Sequence, residues 1–208
     1  MTTETTRDAA GPSPVPLWNI ANVLTMIRIV LVPVFIVLFL QDTTAMRVAA
    51  AVVFAVAAAT DKLDGTLARR RGLVTNFGKL TDPIADKALV ISALVLLSAD
   101  GLLPWWATIV IIVRELGITL LRFLMVRRAV MAASRGGKLK TVLQIIFILM
   151  LLLPWQGFLP NAVVDAILLV AFLVVLLAVA VTVVTGLDYV VKALRIVRGQ
   201  GRERDGAA

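Results

Sequence analysis

Residues 61–86 read DKLDGTLARRRGLVTNFGKLTDPIAD, and this stretch decides how the rest of the chain is read. It holds four of the 13 acidic residues and lies between two strongly apolar segments. Its fixed positions form the pattern D-x2-D-G-x2-A-R-x8-G-x3-D-x3-D: Asp61, Asp64, Gly65, Ala68, Arg69, Gly78, Asp82 and Asp86. On a helix, Asp61 and Asp64 stand at i and i+3 on one face. Asp82 and Asp86 stand at i and i+4, also on one face, with Gly78 one turn earlier on that stripe. Two helices joined by a short basic turn can therefore point four carboxylates at one place. Such a cluster repels itself unless neutralised, so divalent cations are expected there. Hard oxygen donors with no His or Cys nearby suit Mg²⁺ or Mn²⁺ rather than Zn²⁺.

Working outward, the whole chain reads as all-α and membrane-integral. Of 208 residues, 60% are hydrophobic, against about 45–50% in soluble domains, and the mean hydropathy is +0.97. There is no Cys, which excludes disulfides, thiolate nucleophiles and Fe–S clusters, and no His, which excludes phosphohistidine and imidazole bases. Proton transfer must then fall to carboxylates, Lys, Arg or Tyr. The net charge of +8 is better explained by topology and anionic lipid than by nucleic acid.

Residues 1–16, with Pro12, Pro14 and Pro16, read as a disordered cytoplasmic tail. The body, residues 17–198, is one catalytic domain of six spans, preceded by a short interfacial piece around Trp18. The spans are expected at about Asn22–Leu40, Ala45–Ala68, Gly78–Leu97, Pro104–Met125, Leu139–Leu153 and Ala162–Val190. The second apolar run stops at Ala59, too short to cross alone, so it must continue through Asp61 and Asp64 in a polar cavity. Residues 199–208 read as a disordered basic tail. Arg47 is the sole Lys or Arg on one side of this arrangement, so the other side, with both termini and the carboxylates, is cytoplasmic. Trp18, Trp105, Trp106 and Trp155 read as interfacial belt residues.

Carboxylates at a membrane's inner edge suit a substrate with a phosphate head and a lipid tail. Metal ions could hold a pyrophosphate, and a remaining carboxylate could take a proton from an attacking hydroxyl. Gly65 lets a bulky group approach the backbone, Ala68 keeps the surface small, and Arg69 can reach a phosphate. This gives phosphoryl transfer on a lipid nucleotide as the reaction class and leaves the substrate open.

The eight fixed positions resemble, without a departure, the signature of the CDP-alcohol phosphotransferase family. That resemblance implies a six-helix membrane fold, usually dimeric, which transfers a phosphatidyl or similar group from a CDP-linked donor to an alcohol and releases CMP. It further implies that Asp61, Asp64 and Asp82 are ligands to two divalent cations, with Asp82 bridging. Asp86 would be a ligand and the general base, and Gly65, Arg69 and Thr75 would contact the CDP moiety. The opening 19-NIANVLTMIRIVLVPVF-35, the run 112-IVRELGITLLR-122 and 137-GKLKT-141 resemble the bacterial phosphatidylglycerophosphate synthases of that family. Ala21 stands where proline is common in the opening. This closer resemblance implies CDP-diacylglycerol as donor, glycerol 3-phosphate as acceptor, and Asn22, Thr25 and Arg28 near the donor head group. It also implies the bacterial cell membrane as the location.

An acceptor that carries its own phosphate requires a cationic pocket. Arg114 lies well inside the fourth span, where an unpaired charge is costly. Arg114 and Lys138 are the first choices for the acceptor phosphate, Arg122 and Lys140 the second. A direct Arg114–Glu115 pair is awkward, because sequence neighbours on a helix point about 100° apart. Acceptors of phosphatidylinositol phosphate synthase or cardiolipin synthase type remain alternatives, as do a metal-binding transporter and a non-catalytic scaffold outside the class.

Overall fold

Prolines and one glycine set the helix boundaries of this chain. Pro104 and Pro160 immediately precede helices, and each offers its carbonyl to the first free amides: Ala107 N at 3.0 Å and Thr108 N at 3.4 Å, and Val163 N at 2.9 Å and Val164 N at 3.1 Å. Gly101, at φ +77°, ends a helix in the left-handed conformation. Its N–H reaches Ser98 O at 3.1 Å and that of Leu102 reaches Leu97 O at 3.0 Å, the paired bonds of a Schellman cap. The computed structural model describes the backbone over residues 20–71, 76–125 and 135–205, and side chains over 23–60, 87–121, 123 and 138–195. Residues 1–19, with Trp18, lie outside that description, as do Thr75 and the connection 126–134.

Within the described residues the chain is all-helical. The helices are α1 (Ile20–Phe39), α2 (Thr44–Arg71), α3 (Asn76–Ala99), α4 (Trp105–Met125), α5 (Arg135–Leu152) and α6 (Asn161–Asp205), with one 3-10 turn at Trp155–Gly157. Each expected span falls on one of these helices. The difference is at the C-terminus, where α6 runs on to Asp205 past the point at which the sequence suggests a disordered tail. No proline follows Pro160, and the helix runs on through Gly199 and Gly201, residues weak enough as helix formers to read as its end but unlike proline still able to donate a backbone N–H.

The core is built from rings and small residues. Phe35 stacks obliquely on Phe39 and Phe54, with centroids 6.2 and 5.8 Å away. Ala50 and Ala57 on α2, and Ala171 and Ala178 on α6, are fully buried at i and i+7, which lets neighbouring helices approach closely. α1 packs on α2 and α3, α6 packs on α4 and α5, and α2–α5 contacts join the two groups. The outward faces are apolar as well. On α4, Ile109, Val113, Leu116, Leu120 and Phe123 form an exposed stripe, and α6 exposes Leu169, Leu173 and Leu177. Among the described residues, Asn161–Arg195 alone is long and apolar enough to cross a bilayer by length and composition. The apolar runs Val23–Phe39, Thr44–Thr60 and Lys87–Ala99 are shorter.

At the end of the bundle away from the aspartates, Arg47 ties two turns together. It donates two hydrogen bonds to Asp100, at 2.8 and 2.9 Å, and lies 4.0 Å over the Phe39 ring. Its contact to Asp42, at 3.4 Å, adds little, since that side chain is 92% exposed. Arg47→Ala should lower stability by roughly 1.5–3 kcal/mol, the range for a charged hydrogen-bonded pair. The midpoint of thermal unfolding of the purified protein reads this directly, and an unchanged midpoint would mean that the turns are held by other contacts.

Candidate active site

Two helices that meet at a short connection carry the aspartates. α2 ends at Arg71 and α3 begins at Asn76, so a connection of four residues returns the chain alongside itself, and α2 packs on α3. Asp61, Asp64, Gly65 and Arg69 lie on the last part of α2, and Asp82 and Asp86 on the first part of α3. Both carboxylate pairs are thus at the same end of the bundle, in helical registers that put each pair on one face. The side chains of these six residues, of Asn22 and of Arg122 lie outside the described residues, as does Thr75 altogether. On α1, Thr25 and Arg28 stand one turn apart and each is 1% exposed, so the two donor-site candidates with described side chains share a buried face.

Near the middle of α3, directly after Asp86, Lys87 joins a part-buried charged cluster centred on Glu115 of α4. The Lys87 ammonium donates to the Glu115 backbone carbonyl at 3.2 Å and to Oε2 at 3.3 Å. Lys140, from α5, donates to Glu115 Oε1, and Arg114 reaches the same oxygen at 3.4 Å. Arg114 also donates to Thr185 Oγ1 of α6 at 3.1 Å, and that hydroxyl donates to Val181 O at 2.7 Å. Gly186 makes room for this arrangement, because a Cβ there would meet Arg114 Cγ at 3.2 Å. A direct Arg114–Glu115 contact therefore exists where the sequence makes it awkward. Two long stems bridge the 100° between them, and cations from α3 and α5 fix the carboxylate from the other sides.

The four acceptor-phosphate candidates separate on this geometry. Lys140 is 5% exposed and faces Glu115, and Arg114 belongs to the same cluster. Lys138 is exposed, as its offset of two positions from Lys140 requires, since that turns it about 200° around α5. Lys87 and Gln144 join the site without having been singled out by sequence. Lys87 follows Asp86 directly, and its charge reads there as part of the acidic run. Gln144 is the sole polar residue between Thr141 and Pro154, a signal the sequence does carry. Lys87, Glu115, Lys140, Thr141 and Gln144 line a cavity of about 90 Å³ that is walled elsewhere by Ala58, Leu89 and Leu94.

A helical bundle with an aspartate motif on adjacent helix ends and a cationic pocket beside it defines a class. The profile of the CDP-alcohol phosphatidyltransferase family matches residues 18–184, and the chain belongs to that family. Among its relatives, a probable phosphatidylglycerophosphate synthase of Mycobacterium tuberculosis is 47% identical over 184 residues, covering 87% of this chain and 84% of the relative. The CDP-diacylglycerol–glycerol-3-phosphate 3-phosphatidyltransferase of Bacillus subtilis is 41% identical over 66% of this chain and 78% of its own. The Escherichia coli K12 protein of the same name is 41% identical over 69% and 79%.

Proposed function

We propose that this protein transfers the phosphatidyl group of CDP-diacylglycerol to glycerol 3-phosphate, giving phosphatidylglycerophosphate and CMP. The observation that carries the reading is the largely buried Lys87–Glu115–Lys140–Arg114 cluster, its side chains 6–21% exposed, which Lys87 joins to the helix that bears Asp82 and Asp86. It supplies, beside the carboxylates, the cationic surface that a phosphate-bearing alcohol needs. The names of the relatives support the same donor and acceptor.

In this reading the chain lies in a cell membrane as six spans, with its carboxylate end cytoplasmic. The apolar outward stripes of α4 and α6 favour a lipid surround, and the crowding of Lys and Arg at the carboxylate end favours that orientation. Asp61, Asp64, Asp82 and Asp86 form an all-oxygen donor set that fits two Mg²⁺ or Mn²⁺ ions. Such ions, when bound, would neutralise the pyrophosphate and stabilise the departing CMP. Arg28, Thr25 and Asn22 on α1, with Gly65, Arg69 and Thr75, receive the CDP head group. Lys140 and Arg114 hold the acceptor's phosphate, with Arg122 and Lys138 nearer the entrance. Asp86 takes the proton from the acceptor's primary hydroxyl. That oxygen attacks the lipid-side phosphorus, the bond to the CMP oxygen breaks, and the phosphatidyl group passes over without a covalent enzyme intermediate.

Purified protein given CDP-diacylglycerol and Mg²⁺ should release CMP with glycerol 3-phosphate, and far more slowly with inositol phosphate. Faster release with inositol phosphate would reassign the acceptor. No release with any acceptor would remove the enzyme reading.

A further inference from the structure

Gln144 is 3% exposed, yet among the described residues its amide nitrogen donates to no group. A buried polar group left without a partner costs about 1–3 kcal/mol, so such groups are retained where something else meets them. Three features say what that is. Gln144 lines the cavity with Lys140, Glu115 and Lys87, so a ligand held by the lysines is within its reach. It stands one turn beyond Lys140 on α5, on the same face and roughly 6 Å deeper along the axis. The segment around it, 142-VLQIIFILMLLL-153, is otherwise wholly apolar, so no general polarity of the helix accounts for an amide there.

We propose that Gln144 is a specificity-determining residue that donates its amide N–H to the secondary hydroxyl of the acceptor. The proposal rests on the acceptor reading above. With the phosphate on Lys140, a small phosphorylated polyol bends within the cavity, so that its secondary hydroxyl reaches Gln144 while its primary hydroxyl turns back toward the Asp86–Lys87 level of α3. A cavity of about 90 Å³ has room for several water-sized groups, which suits the short chain of such an acceptor and excludes a bulky one. Polar cavities of this kind hold water when no ligand is bound, so the hydroxyl replaces a solvent hydrogen bond with a fixed one. An acceptor lacking that hydroxyl leaves the amide unmatched and is rejected on that account.

The test compares glycerol 3-phosphate with 3-hydroxypropyl phosphate, the same chain without the secondary hydroxyl. It is run on the native protein and on Gln144→Met, which keeps the length and removes the donor. CMP release gives kcat/KM for each acceptor. The native protein should favour glycerol 3-phosphate by roughly ten-fold or more, the equivalent of one buried hydrogen bond. Gln144→Met should shrink the preference to within about two-fold, through loss on glycerol 3-phosphate alone and with the donor KM unchanged. A preference that survives in Gln144→Met overturns the proposal. If that variant does not fold, the native comparison decides by itself, and a preference below about two-fold overturns the proposal. No CMP release with either acceptor removes the acceptor reading and Gln144's role with it, whereas equal release with both removes Gln144's role alone.

Discussion

Asp86→Asn should leave a folded protein that binds CDP-diacylglycerol and lowers kcat by about 10²–10⁴-fold, the usual contribution of a positioned general base. Asparagine has the same shape and still offers an oxygen, but it cannot accept the proton of the attacking hydroxyl at neutral pH. The position argues for this role over a purely structural one. Asp86 lies on α3 immediately before Lys87, which with Glu115 and Lys140 lines the cavity proposed for the acceptor. Of the four aspartates it is therefore the nearest in sequence to the place proposed for the alcohol. Asp61 and Asp64 belong to α2, and Asp82 is one turn closer to the start of α3. With no His or Cys in the chain, few other groups can do this work. CMP release at saturating donor and acceptor measures the effect. A kcat within about three-fold of native would take the base assignment away from Asp86.

How far the sequence leads differs between the scaffold and the site, and the reasons are physical. The helices are legible because their apolar runs stop at residues that force a turn, such as Pro104 before α4 and Gly101 after α3. Glycine is the weaker guide, as at the end of α6, where Gly199 and Gly201 suggest a stop and the helix runs through them to Asp205. The carboxylate register on α2 and α3 is legible because spacing on a helix fixes the face. The acceptor pocket is harder. Periodicity puts Lys138 and Lys140 on opposite sides of α5 but does not say which side faces the interior. Glu115 answers that through three cations brought from α3, α4 and α5, and such a convergence is a property of packing rather than of any one segment. Lys87 reads as part of the acidic run beside Asp86, whereas Gln144 stands out as a lone amide in an apolar run but carries no sign of what it faces.

Lys140→Ala is expected to produce the second large effect, and on a different kinetic parameter. The Lys140 ammonium is almost fully buried and paired with Glu115, whose side chain is itself 15% exposed. Removing it does two things. It takes away a charge that would meet the acceptor's phosphate, and it leaves Glu115 less compensated in the pocket proposed for that phosphate. Both disfavour an anionic acceptor, and truncating one member of a buried charged pair costs about 2–5 kcal/mol. The acceptor kcat/KM should therefore fall by roughly thirty-fold or more, through KM above all, while the donor KM stays within about two-fold. Lys138→Ala removes a charge of the same sign from an exposed position two residues away, and its effect should stay within a few-fold, as for other solvated charges. The pair of variants separates a specific pocket from a general cationic surface, since the latter would respond alike to both. Equal losses, or a larger loss at Lys138, would move the phosphate site out of the bundle interior and toward the entrance.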